Sequence, residues 1–141
     1  MLFHRISLEA FCHATEDLEK VKEAILNLVP FEVGDKDFLV RRFEGSFGNQ
    51  IILIRLEFDK QGRINKLIDA LRSDMPESGP AFSAEEHVTD GGVFWLRFDK
   101  QEAYKGKITL GRHDTIQLKG KVAAFPASRE KAVEIMEKAW S

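Results

Sequence analysis

The chain has 141 residues, of which 43% are hydrophobic and 31% charged, with a formal net charge of -2. This length suits one domain, read as a single α+β domain over 1–141, with enough chain to bury a sound core. The lone cysteine, Cys12, excludes an internal disulfide framework, no apolar run approaches the ~20 residues of a membrane helix, and the first residues turn acidic too early for a secretory signal, all of which fits a reducing, cytoplasmic setting.

Residues 2–14 alternate. Ile6, Leu8, Ala10, Cys12 and Ala14 fall on one side and Arg5, Ser7, Glu9 and His13 on the other, the pattern of a half-buried strand. Thr15 is placed to cap a helix that opens with Glu16 and Asp17, acids that suit the positive end of a helix dipole. Leu18, Val21, Ile25, Leu28 and Val29 then recur at helical spacing, and Pro30 follows their end. Residues 38–44 and 50–58 predict two strands, joined by a 45–49 loop whose glycines and Asn49 tolerate positive φ. In the second of these, Ile52, Ile54, Leu56 and Phe58 make one face and Ile51, Leu53, Arg55 and Glu57 the other, which predicts a central strand.

Residues 59–62 read as a turn, and Ile64, Leu67, Ile68, Leu71 and Met75 as an amphipathic helix closed by Pro76. A loop at 76–80 precedes Ser83 and Glu86, which have the spacing of a capping box for a short helix. Asp90, Gly91 and Gly92 turn the chain into a strand at 93–98. Residues 100–104 hold one or two helical turns, ended by Gly106. Residues 108–110 and 116–125 predict a further strand pair around a turn at 111–114, and Ser128 caps a last helix that runs through Trp140. The order β-α-β-β-α-(short α)-β-β-β-α is rich in hairpins. It predicts an α+β fold, a mainly antiparallel sheet with helices packed on one face and the second face open.

Charge is unevenly spread. Residues 94–132 hold nine Lys or Arg (Arg97, Lys100, Lys105, Lys107, Arg112, Lys119, Lys121, Arg129 and Lys131) against four acids (Asp99, Glu102, Asp114 and Glu130), while residues 1–37 hold four bases and eight acids. Such a dipolar chain can meet a polyanion through its basic part, although lysines also serve simply to solubilise strands and protect sheet edges.

Four stretches carry a resemblance: HATED at 13–17, EGSFGN at 44–49, RFDKQEAY at 97–104 and KVAAFPASREKA at 121–132. In this order they resemble a family of small archaeal proteins held to be RNA-binding or exosome-associated, over nearly the whole chain. The resemblance implies a fold similar to that of the large-subunit ribosomal protein that binds 5S rRNA. It also implies binding to structured RNA beside RNA-processing or ribosomal machinery, and it brings no catalytic residues.

Three places suit RNA. The outward positions of the sheet are expected to hold Arg55, Trp95, Arg97, Gln117, Lys119 and Lys121, cations for phosphates and an aromatic for unstacked bases. The hairpin tip and its stem hold Arg41, Arg42, Ser46, Phe47, Gly48 and Asn49, either a ligand contact or an ordinary turn. The last helix begins at Ser128 with Arg129 and Lys131, either an anion site or a capped helix with solvated charges. The expected RNA-binding set is Arg41, Arg42, Arg55, Arg97, Lys100, Lys105, Lys107, Lys119, Lys121 and Arg129, without a cofactor or metal. Phosphate-loop and dinucleotide patterns are absent. Catalysis has little footing: His4, His13, His87 and His113 share no metal-ligand spacing, Cys12 and His13 fall on opposite strand faces, and Asp99, Glu102 and Asp114 are scattered carboxylates. Ile51, Leu53, Val93 and Trp95 take the parity opposite the core, so a homodimer closing on that face is expected, either beside RNA binding or in place of it.

Overall fold

A computed structural model of the chain describes residues 1–75 and 82–140; the loop expected at 76–80 lies outside them. Five strands, β1 (Phe3–Cys12), β2 (Leu39–Glu44), β3 (Gln50–Phe58), β4 (Val93–Asp99) and β5 (Thr115–Val122), alternate with four helices, α1 (Leu18–Leu26), α2 (Gln61–Asp74), α3 (Lys100–Tyr104) and α4 (Arg129–Trp140). The strands form one sheet in the order β2-β3-β1-β5-β4, every neighbour antiparallel. This is the α+β architecture expected from the hairpin-rich pattern.

The alternation along each strand decides which side is covered. Phe3, Ile6, Leu8, Ala10 and Cys12 of β1 point with Ile54, Leu56 and Phe58 of β3, Phe94, Leu96 and Phe98 of β4, and Ile116, Leu118 and Val122 of β5 into one core. The helices close that core with Val21, Ala24 and Ile25 of α1, Ile64, Leu67, Ile68 and Leu71 of α2, and Ala132, Met136 and Trp140 of α4. All these side chains are nearly or fully buried, and each buried Leu or Ile contributes about 1.5–3 kcal/mol. Gly120 sits beneath this layer because Phe3 occupies the space that a side chain would need: a Cβ there would lie 2.7 Å from the Phe3 ring.

Several local expectations differ from the structure. Asp17, not Thr15, caps α1, its carboxylate accepting from Glu19 N at 2.9 Å. The alternation of β1 skips between Phe3 and Ile6, where the pairing with β5 shifts register, so Phe3 rather than an even-numbered residue faces inward. Strand β3 lies inside the sheet as expected, between β2 and β1, and β1 takes the middle position. Helix α2 begins at Gln61, because the Gln61 amide donates to Phe3 O at 2.8 Å and ties the first turn to β1; Gly62 lies in that turn without breaking it. Ser83 makes no side-chain cap for the single 3-10 turn Ala84–His87. The strand expected at 108–110 is reduced to one bridge, Leu110 with Phe98, matched by a second bridge, Val88 with Phe94. Both short segments lie along the outer edge of β4 and satisfy part of a row of donors and acceptors that would otherwise be open. Strand β5 ends at Val122, and Phe125 is exposed. Ser128 does cap α4, accepting from Lys131 N at 3.2 Å.

A candidate nucleic-acid interface on the open sheet face

Register assembles the second face of the sheet from residues far apart in the chain. One row across it reads Leu39, Arg55, Glu9, Gln117, Arg97, and the next reads Glu57, Ser7, Lys119, Trp95. All six residues expected on the outward parity are there. The face divides in two. Phe11, Leu53, Ile51, Leu39 and Phe43, on β1, β3 and β2, make an apolar half, in which Phe11, Leu39 and Phe43 are exposed. The half on β5 and β4 is polar and cationic. Ile51 and Leu53 are therefore separated from Val93 and Trp95 by two strands, and the four do not form one patch.

At the seam between the halves the cations are partly compensated. Glu9 lies 3.9 Å from Arg55 and 3.5 Å from Lys119, and Arg55 also pairs with Glu57 at 2.9 Å. Toward β4 the balance changes. The Arg97 guanidinium lies over the Trp95 ring, 4.9 Å from its centroid. His87 stands 4.8 Å from the same ring and donates from Nδ1 to Trp95 O at 3.0 Å, since a carbonyl can only accept. Neither Arg97 nor Arg112 has an acidic partner among the described residues. His87, Trp95, Arg97, Leu110, Gly111 and Arg112 line an open concavity of about 430 Å³. Gly111 is required there: a Cβ would come within 2.8 Å of Asp99 Cα. His87 and Arg112 were outside the expected set, since only the two bridges flanking β4 bring them beside Trp95.

The remaining members of the expected set are scattered. Arg41 lies on the open face of the edge strand and Arg42 on the opposite side of the same strand, both exposed. Lys105 and Lys107 follow α3, on the side where Asn27 of α1 donates to Ala103 O, away from the open face. Lys121 lies on the outward parity, opposite Val93, and donates to Gly91 O. Arg129 is turned to structure, donating to Glu85 O at 2.7 Å and Val88 O at 3.3 Å, and so ties α4 to the segment along β4.

Lys100 departs furthest from expectation. It is buried, and its ammonium bonds Phe11 O at 2.8 Å, Glu16 at 2.9 Å and Asp114 at 2.8 Å. An ammonium has three donors, so all are used within the protein and none remains for a phosphate. The same contacts bring the stretches 13–17 and 97–104 together. His13, Glu16 and Asp114 also present ligand atoms within 4.8 Å of one another, the spacing of a metal site, but the Lys100 ammonium already bonds two of the three, Glu16 and Asp114. At the far end of the sheet, Phe47 at the hairpin tip is wholly exposed with φ of 69°, so the left-handed positions fall on Phe47 and Gly48 rather than on Asn49. Among the described residues no helix is long and apolar enough to cross a membrane.

A sheet with helices on one face and a cationic, aromatic-bearing opposite face is a construction that RNA-binding proteins use. Residues 5–122 match the RNA binding protein family, and the chain belongs to it. It is similar to the RNA-binding protein PAB1135 of Pyrococcus abyssi, 39% identical over 137 residues that cover 93% of this chain and 89% of that one. Protein AF2318 from Archaeglobus fulgidus has the same fold with a TM-score of 0.86 at 31% identity, covering 97% of this chain and 99% of that one. Mth689, a DUF54 protein from Methanothermobacter thermautotrophicus, matches over the full length of both chains with a TM-score of 0.83 at 33% identity.

Proposed function

We propose that this is a non-catalytic, cytoplasmic, single-domain protein that binds structured RNA through the cationic half of its open sheet face. The observation that carries the reading is the cluster of Arg97, Lys119 and Lys121 around Trp95, on the face opposite the helix-covered core of the described residues. Arg112 extends that cluster, Arg55 flanks it, and Arg41 adds a separate cation on the same face at the far edge, whereas Arg42 lies on the opposite side of β2. Lys105 and Lys107 contribute through long-range field only, and Lys100 and Arg129 act within the fold. The family and the name of the Pyrococcus abyssi relative support RNA as the partner. The resemblance to proteins associated with the exosome, and to the ribosomal protein that binds 5S rRNA, favours work beside RNA-processing or ribosomal machinery. Neutralisation of Glu16 and Asp114 by Lys100 supports a role without metal chemistry.

A second reading concerns assembly and coexists with the first. Phe11, Leu39, Phe43, Ile51 and Leu53 give the same face an apolar area interrupted by Arg41, and isologous pairing of two copies is the commonest way to cover such an area. Pairing there leaves the cationic half open.

Titration with a structured RNA and a single-stranded RNA at several salt concentrations tests the RNA reading. Neutralisation of three to five phosphates gives a fall of about 0.7–0.9 log units per contact for each tenfold rise in salt. Absence of binding to both RNAs at low salt would refute it.

A further inference from the structure

We infer that the concavity beside β4 is a nucleobase pocket, which takes one unpaired base from the bound RNA; the inference rests on the RNA reading above and assigns its stacking site.

Three observations bear on the ligand. The first is the Trp95–Arg97 pair. A guanidinium 4.9 Å from the indole centroid makes a cation–π pair, and aromatic rings and guanidinium planes of this type accept a base by stacking. Arg97 has no carboxylate to hold it elsewhere among the described residues, so the indole is its partner. The second is the mixed lining. Trp95 and Leu110 give apolar walls, while Arg97 and Arg112 bring positive charge, which fits a group with an apolar face and an attached phosphate. A bare phosphate makes no use of the indole, and an apolar ligand makes no use of two uncompensated guanidiniums. The third is size: about 430 Å³ lies toward the lower end of the range for small-molecule sites, enough for a base with its sugar and too little for a duplex.

The walls are built to hold this shape. His87 Nδ1 is committed to Trp95 O, which fixes the imidazole beside the indole and leaves Nε2 as the second polar atom of the ring. Gly111 N donates to Arg97 O at 2.9 Å, and Asp99 N donates to Thr109 O at 2.9 Å, so the wall opposite His87 is bonded to the same strand. A paired base cannot enter, because both its faces are covered in the helix; a base from a loop or bulge can.

The test uses the full chain and one RNA hairpin in two forms, with an ordinary loop and with a loop of abasic residues that keeps every phosphate. Wild type is expected to bind the ordinary loop about 5- to 150-fold more tightly, the range of one lost base stack. Trp95→Leu is expected to lose that preference and to bind both hairpins as wild type binds the abasic one. Arg97→Lys keeps the charge and removes the plane, and is expected to reduce the preference for the ordinary loop. Trp140 is buried, so quenching of tryptophan fluorescence by the ordinary hairpin, absent in Trp95→Leu, reports the pocket directly. Tight binding of both hairpins by wild type with equal affinity would overturn the pocket and leave the RNA reading standing. An unaltered preference in both variants would do the same. Binding to neither hairpin at low salt would overturn both.

Discussion

The Lys100 ammonium lies 2.8 Å from the Asp114 carboxylate, joining the start of α3 to the entrance of β5, and the same nitrogen holds Glu16 and Phe11 O at the end of β1. Removal of one partner from a buried pair is costly because the others stay behind without compensation. Lys100→Met is expected to destabilise the fold by about 2–4 kcal/mol, somewhat below the range for a fully buried pair since Asp114 is partly hydrated. Affinity for RNA per folded molecule is expected to be unchanged. Urea denaturation and RNA titration of the same preparation check the two halves; a stable variant with weakened RNA binding would return Lys100 to the interface.

Gly120→Ala is expected to cost about 1–3 kcal/mol. The new methyl would come within 2.7 Å of the Phe3 ring and 3.0 Å of Ile6, on the tightly packed side of the central strand. Thermal unfolding reads the loss. Gly62→Ala is the control: nothing lies within 4 Å of that position, which sits in the first turn of α2, and a neutral or slightly stabilising effect is expected.

Lys119→Gln with Lys121→Gln is expected to lower the salt slope of RNA binding by about 1.5, two contacts at 0.7–0.9 each, with the fold retained. Both lie on the outward parity of β5, so the buried Ile116, Leu118 and Val122 are untouched. Val122→Asp sits on the other parity and is expected to unfold the chain, because a carboxylate buried without a partner is far outside what the core tolerates. Filter binding at four salt concentrations and circular dichroism separate the effects.

Sedimentation at micromolar concentration is expected to show a dimer, and Phe11→Glu with Leu53→Glu a monomer of unchanged fold and RNA affinity. An interface of standard size takes about 800 Å² per partner, about a tenth of the 8376 Å² surface of this chain. Monomeric wild type would dismiss the apolar half as an interface between copies.

Cys12 is expected to resist thiol reagents at neutral pH until the chain unfolds. Burial pushes its thiol above the ordinary range, and nearby Glu16 pushes the same way, so the reactive thiolate is suppressed. The sign follows: a thiol whose value is raised in the fold favours the folded state below the ordinary cysteine range, and that contribution is lost as pH rises through the folded value. Labelling rates measured with and without urea check it.

Period-two alternation and helical spacing were enough to derive the five strands of the sheet, its helices and the side of each that enters the core, because burial of an apolar stripe is a local property of the sequence, but they also predicted a strand at 108–110 that is a single bridge. The open face and its outward residues followed from the same parity. Strand order was not legible, since antiparallel pairing depends on which apolar faces dock after the chain has folded back. The order β2-β3-β1-β5-β4 separated Leu53 from Trp95, set Glu9 between Arg55 and Lys119, and left β4 at the sheet edge, where the two bridges bring in His87 and Arg112. The sequence alone established a basic segment and an α+β sheet. Only tertiary structure decided which cations face solvent, because the Glu16 and Phe11 O partners of Lys100 and the carbonyl acceptors of Arg129 come from segments 41 to 89 residues away.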